Sequence, residues 1–110
     1  MKKGYKCIFA IVNNGFSEEA MEAAKASGAK GGTILHARGT ISKEAEKFFN
    51  ISINPEKEIV MILAKSELVD GILKSLYTAI GTSTNAQGIA FALPVDEVVG
   101  IEEKIATKKE

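Results

Sequence analysis

Two glycine- and threonine-rich segments carry most of the chemistry in this sequence. The first is Gly31-Gly32-Thr33-Ile34-Leu35-His36-Ala37-Arg38-Gly39-Thr40. It reads as a short strand framed by glycines, which let a backbone turn sharply or approach a ligand closely. Arg38 is a permanent cation whose planar fork can pair bidentately with phosphate or carboxylate. The second segment, Gly81-Thr82-Ser83-Thr84-Asn85-Ala86-Gln87-Gly88, lies just before the last strand. Two such segments in one small chain suggest a ligand-binding sensor. The plainer alternative is a pair of turns and a solvated arginine.

Other chemistries find less support. A metal site needs clustered ligands at suitable spacing, and the chain has one cysteine, Cys7, and one histidine, His36. Cys7 sits in an apolar run and reads as a core residue. His36 reads as structural, with a ligand contact or an intersubunit hydrogen bond as alternatives. Thr82, Ser83 and Thr84 offer hydroxyls but no neighbouring histidine to activate them. A phosphatase of this size would want an arginine–asparagine pair at an anion loop, which Arg38 and Asn85 could form only by coincidence of folding. No catalytic residue, resident metal or required cofactor is therefore assigned, and the expectation is that the protein is not an enzyme.

The 110 residues suit a single domain spanning 1–110. At 45% hydrophobic, the chain can pack a core. A formal net charge of +0 gives no electrostatic case for nucleic acid. No run of about 18 apolar residues suggests a membrane span. The start, Met1-Lys2-Lys3-Gly4, leads into a strand-like run and does not read as a signal peptide. With one cysteine there is no internal disulfide, and a cytoplasmic location is the simplest expectation.

The elements that must position these residues are legible in the apolar pattern. Residues 5–12 form a buried strand, followed by turn chemistry at Asn13-Asn14-Gly15. A helix starts near Ser17, read as its cap, with Glu18 and Glu19 at the positive end of the dipole. Phe16 and Met21 are placed for a hydrophobic staple, and Gly28 supplies the stop. Strands follow at 33–37 and 58–64. Leu68, Ile72, Leu76 and Ile80 recur at helical spacing over about 66–80, with Gly81 ending that helix. Gly71 inside it should cost about 1 kcal/mol relative to alanine. Residues 89–93 make the last strand, and the charged tail from 102 to 110 is expected to fray.

The order β-α-β-β-α-β is ferredoxin-like: an α+β sandwich of a four-stranded antiparallel sheet and two helices. Both parities of the first strand are apolar, with Cys7, Phe9 and Ile11 on one side and Ile8, Ala10 and Val12 on the other. A sheet with one solvated face would alternate apolar and polar. Something must cover the second face, and other copies of the same sheet are the economical answer.

The connection over residues 39–57 exceeds the roughly 12–15 residues beyond which structureless loops are uncommon and often functional. A short helix capped by Ser42 could occupy part of it. Phe48 and Phe49, with Ile51 and Ile53, either fold back to fill a groove or are held ready for a docking partner.

This arrangement resembles the PII signal-transduction (nitrogen regulatory protein P-II) family along nearly the whole chain. The marks are Gly28-Ala29-Lys30-Gly31-Gly32-Thr33-Ile34 entering the second strand, and the long loop after it. Further marks are Ser66-Glu67-Leu68-Val69-Asp70 opening the second helix, and the loop ending in Gly88 before Ile89-Ala90-Phe91-Ala92-Leu93-Pro94-Val95. The resemblance implies a homotrimer whose intersubunit clefts bind ATP or ADP, and 2-oxoglutarate with Mg-ATP. It implies that the long T-loop docks on transporters, enzymes or regulators. Thr33 matches the nucleotide-contacting threonine, Gly39 a glycine at the base of the T-loop, and Gly88 the last glycine of the B-loop. In such a cleft the hydroxyls of Thr82, Ser83 and Thr84 and N–H groups near Gly88 would cradle an anion. Arg38 would supply charge, seconded by Lys65, and Thr33 would bond a base or sugar edge.

The departures are equally specific. Ile89 stands where nucleotide binders carry a lysine, Gly100 and Glu102 where they carry arginines, and Met61 where the third strand has a glutamate. The T-loop glutamine has no clear counterpart, and the modified tyrosine has none because the loop contains no tyrosine. The expectation is a divergent PII-like regulator with a changed small anionic effector, ADP or AMP being as plausible as ATP. The alternatives are a metal- or anion-binding trimer related to copper-tolerance proteins and a small phosphoanhydride or acyl-phosphate hydrolase.

Overall fold

The computed structural model describes residues 1–40, 43–44, 47 and 55–101. Four strands form one antiparallel sheet: β1 (Tyr5–Asn13), β2 (Thr33–Arg38), β3 (Glu56–Lys65) and β4 (Ile89–Pro94). Their spatial order is β2-β3-β1-β4, so the two longest strands lie in the middle. Helix α1 (Ser17–Ala26) follows β1, and α2 (Val69–Ile80) follows β3 after a single 3-10 turn at Ser66–Leu68. This is the expected α+β, ferredoxin-like arrangement.

Register decides which residues share a face. Ala10 stands between Val60 and Ala90, and Ile8 between Ile62 and Ala92. That parity is sealed beneath the helices, where Ile8, Val12, Val60, Ile62, Ile72 and Leu76 are fully buried. Small residues on α1, Ala20 and Ala24, let the helix lie close to the sheet. Burying each of the larger side chains stabilises by about 1.5–3 kcal/mol.

The opposite parity forms two apolar rows. One is Leu35, Ile59, Ile11 and Ile89; the other is Thr33, Met61, Phe9 and Phe91. The Phe9 and Phe91 rings stack with centroids 5.8 Å apart. No element of the chain described here covers these rows, and Ile89 and Phe91 keep 53% and 40% of their surface exposed.

The start of α1 differs from the expected cap. Phe16 occupies the N-cap position without a side-chain bond, and Ser17 is the first helical residue. The cap comes instead from Glu58 of β3, whose Oε1 accepts from the N–H of Gly15 at 2.9 Å and of Ser17 at 3.2 Å. Glu58 reaches this place because it is in register with Val12 and therefore points to the helix side. With Phe16 at the N-cap itself, it is also one residue late for the expected staple with Met21. Gly28 ends α1 as anticipated, at φ +111°, with its N–H bonded to Lys25.

The expected helix capped by Ser42 and the Phe48–Phe49 pair fall largely outside the described residues, as does the tail from 102. Lys43, Glu44 and Lys47 have helical backbone. Among the described residues, no helix is long and apolar enough to cross a membrane.

Candidate functional site

The antiparallel register sorts the candidate residues to opposite ends of the sheet. At one end β1 and β2 finish and β3 and β4 begin; this end carries Arg38, Gly39 and the 81–88 loop. At the other end lie Thr33 at the start of β2 and Lys65 at the finish of β3. Thr33 and Arg38, five steps apart on one strand, are separated by about 17 Å. Within one chain the proposed ligand set is therefore two half-sites.

The 81–88 loop is a compact structure in its own right. The Thr84 hydroxyl donates to the Gly81 carbonyl at 2.8 Å and accepts from the Ala86 N–H at 3.2 Å. The Gly88 N–H donates to the Ile80 carbonyl at 2.6 Å. A Cβ at Gly88 would lie 2.5 Å from that same oxygen and 2.9 Å from Val12, so glycine is required here by close approach. In this structure the Thr84 hydroxyl and the Gly88 N–H are engaged in holding the loop. Thr82 and Ser83 are exposed, as is Arg38 at the end of β2.

Beside this loop, Asn13 and Lys57 form a polar junction that the sequence reading passed over. Asn13 Oδ1 accepts from Lys57 Nζ at 2.7 Å, while its Nδ2 donates to the Asn85 carbonyl at 3.1 Å. Next along β3 is Glu58, with only 8% of its surface exposed. Burial acts to push its carboxyl up. The Gly15 N–H, the Ser17 hydroxyl and N–H, and His36 across the ladder outweigh burial and hold it below the ordinary glutamate value. A signal for Glu58 was available: it is in phase with Val60, Ile62 and Ala64, and a carboxylate on a core parity must find donors.

At the opposite end an open hollow of about 1440 Å³ lies against the open face. The 28–33 connector forms one wall, with Thr33 on it. Tyr5, Cys7, Met61 and Leu63 provide an apolar floor, and Lys30 and Lys65 stand at the polar side. Met61, at the place of the missing family glutamate, thus faces the hollow. Desolvation in this position pushes the Cys7 thiol up, away from the reactive thiolate. Gly100, another of the departures, is exposed, and Glu102 lies outside the described residues. Cys7 and His36 are on different faces of the sheet, because His36 pairs with Glu58 and Cys7 with Leu63.

Comparison with known proteins gives this geometry a context. The family described as Nitrogen regulatory protein P-II matches residues 5–104, almost the whole chain. The chain belongs to the P-II family. It is thereby placed among signal-transduction regulators. Among solved structures it is similar to the crystal structure of Arabidopsis thaliana PII bound to citrate, with a TM-score of 0.67 and 20% identity. The alignment covers 91% of this chain and 82% of the Arabidopsis chain. At that identity the likeness establishes the shared PII fold. No curated protein sequence matches.

Proposed function

We propose that this P-II protein is a cytoplasmic homotrimeric regulator in nitrogen control that captures a small anionic metabolite between subunits. The apolar open face carries this reading. The helices cover one parity of the sheet, yet Leu35, Ile89, Phe91 and Leu93 remain exposed on the other. Contiguous apolar surface of this kind marks an interaction site, and copies of the same sheet complement it best. Assembly would also bring the hollow of one subunit toward the loop end of the next. Thr33 and Lys65 would then face Arg38, Thr82 and Ser83 from a neighbouring chain.

The effector is an adenine nucleotide with few phosphates, ADP or AMP before ATP. The apolar floor of Tyr5, Met61 and Leu63 suits a base, while Ile89 and Gly100 remove charge that a triphosphate would need. The Arabidopsis PII is bound to citrate, itself a small anion, which supports an anionic ligand here. The 39–57 connection, with Phe48 and Phe49, would carry the signal to a membrane transporter or a regulated enzyme. The metal-binding alternative is weakened by the separation of Cys7 and His36 on opposite faces. The hydrolase alternative is weakened because Glu58 already sits at the start of α1, a natural anion site, accepting from the Gly15 and Ser17 N–H groups.

Titration calorimetry with ADP, AMP, ATP, 2-oxoglutarate and citrate tests the ligand. Binding of one of these anions is expected, and Arg38→Ala should weaken it by about 1.5–3 kcal/mol, the scale of a charged hydrogen bond. No heat from any nucleotide would reject the nucleotide reading. Light scattering during size exclusion should find three chains; a stable monomer would reject the intersubunit cleft.

A further inference from the structure

The Asn13–Lys57 junction is more extensive than a strand end requires. Asn13 closes β1, yet its bonds reach two other segments, the 81–88 loop and the start of β3. Its N–H donates to the Ala86 carbonyl at 2.9 Å and its Nδ2 to the Asn85 carbonyl, with Gln87 Oε1 a further 3.5 Å contact. Its Oδ1 takes the ammonium of Lys57. The next N–H, from Asn14, donates to the Glu56 carbonyl at 3.1 Å.

Lys57 in turn lies across both roots of the long connection. A Cβ at Gly39 would come 3.0 Å from Lys57 Cε and 3.2 Å from its Cγ, so the lysine stem covers the Gly39 backbone. The Gly39 N–H donates to the Pro55 carbonyl at 2.8 Å, closing the two roots on each other. The partner of the lysine ammonium at this junction is a neutral amide rather than a carboxylate. A hydrogen bond from a charged group to a neutral one is firm but exchangeable.

We propose that Asn13 is a positioning residue that couples the 81–88 loop to the roots of the 39–57 connection, so that a change in either is felt by the other. The coupling rests on the regulator reading for its biological use but not for its existence. Its two arms are separate hydrogen bonds on one amide group. Gln87, held at φ +46°, gives the loop a conformation that a non-glycine residue leaves readily once its support is withdrawn. Movement of Lys57 releases the Oδ1 arm, and the amide is then free to turn away from Asn85.

Hydrogen exchange on the ligand-free full chain tests this directly. Lys57→Met keeps the stem over Gly39 and removes only the ammonium. The ammonium bonds Asn13 and not the 81–88 loop, yet exchange at the Thr84, Ala86 and Gln87 amides should rise about fivefold, the factor set by losing one net hydrogen bond. Asn13→Asp keeps the acceptor for Lys57 and removes the donor to Asn85. It should raise exchange in the same loop while the Gly39 amide stays protected. Amides of Ile8, Val60 and Ile62 should be unchanged in both variants.

Exchange that rises only beside each substitution would overturn the coupling. If Lys57→Met loosens the core strands as well, Lys57→Gln, which retains a donor, should restore the loop; uniform loss in both variants also overturns it. The ligand screen is independent: a protein that binds its effector normally but shows no cross-effect keeps the regulator reading and loses this one.

Discussion

The two faces of the sheet are built from similar residues and end in different states. On the helix side, Ile8, Val12, Val60 and Ile62 meet Ala20, Ala24, Ile72 and Leu76, and water is excluded. On the other side, Ile11, Ile59, Phe9 and Phe91 are no less apolar, yet no element of the described chain lies over them. Composition alone therefore does not make a core; a core needs an opposing element. The contrast also shows where the fold is self-sufficient and where, among the described residues, it leaves apolar surface open.

Matched truncations break that contrast most sharply. Ile62→Ala should cost about 2–5 kcal/mol of stability, because the helices cannot collapse onto the missing methylenes. The same change at Ile89, half-exposed on the open face, should cost the isolated chain less than about 1 kcal/mol. Its larger effect should be on assembly. Denaturant unfolding with light scattering measures both; equal losses of stability in a monomeric protein would dissolve the distinction between the faces.

A smaller effect is expected where polar chemistry enters the covered side. Glu58→Gln leaves the shape but weakens the cap on α1, with an expected loss of about 1–3 kcal/mol. The acid response has a definite sign. The carboxyl is held below its unfolded value of about 4.3, so its contribution is fully present above that pH. It is lost as pH falls through the lower, folded value. Wild type should thus lose more stability than Glu58→Gln between about pH 5 and pH 3, read from denaturation midpoints. Parallel curves would remove Glu58 from the acid response.

The smallest effect is a gain. Gly71 lies in the first turn of α2, and a Cβ there meets nothing within 4 Å. Gly71→Ala should stabilise by about 0.5–1 kcal/mol, seen as a raised midpoint with an unchanged slope.

How far the sequence announced this arrangement depends on the kind of signal. The strands were legible as short apolar runs, and α2 because burial imposes a period of about 3.6, as in Leu68, Ile72, Leu76 and Ile80. The two-sided apolar pattern of β1 foretold an uncovered face. Ser17 misled, since serine at a helix start is a sound local expectation but the start of α1 is held instead by Glu58, 41 residues away. Asn13 read as a turn former because its partners, Lys57 and Asn85, are neighbours only after β1 pairs with β3 and β4. The candidate ligand set was legible only as residue types. Its division between two ends followed from the antiparallel register, and the engagement of Thr84 and Gly88 from hydrogen bonds that no local pattern reveals.

The placement of the tyrosines has a practical side. The chain lacks tryptophan, so its ultraviolet emission comes from two phenols alone. Tyr5 is nearly enclosed and forms part of the floor of the hollow, whereas Tyr77 on α2 keeps 74% of its surface in water. The protein therefore carries an optical probe at one candidate half-site and a solvent-facing reference on the same chain. With Tyr77→Phe, the remaining emission would belong to Tyr5, and occupancy of the hollow could be followed in unlabelled protein.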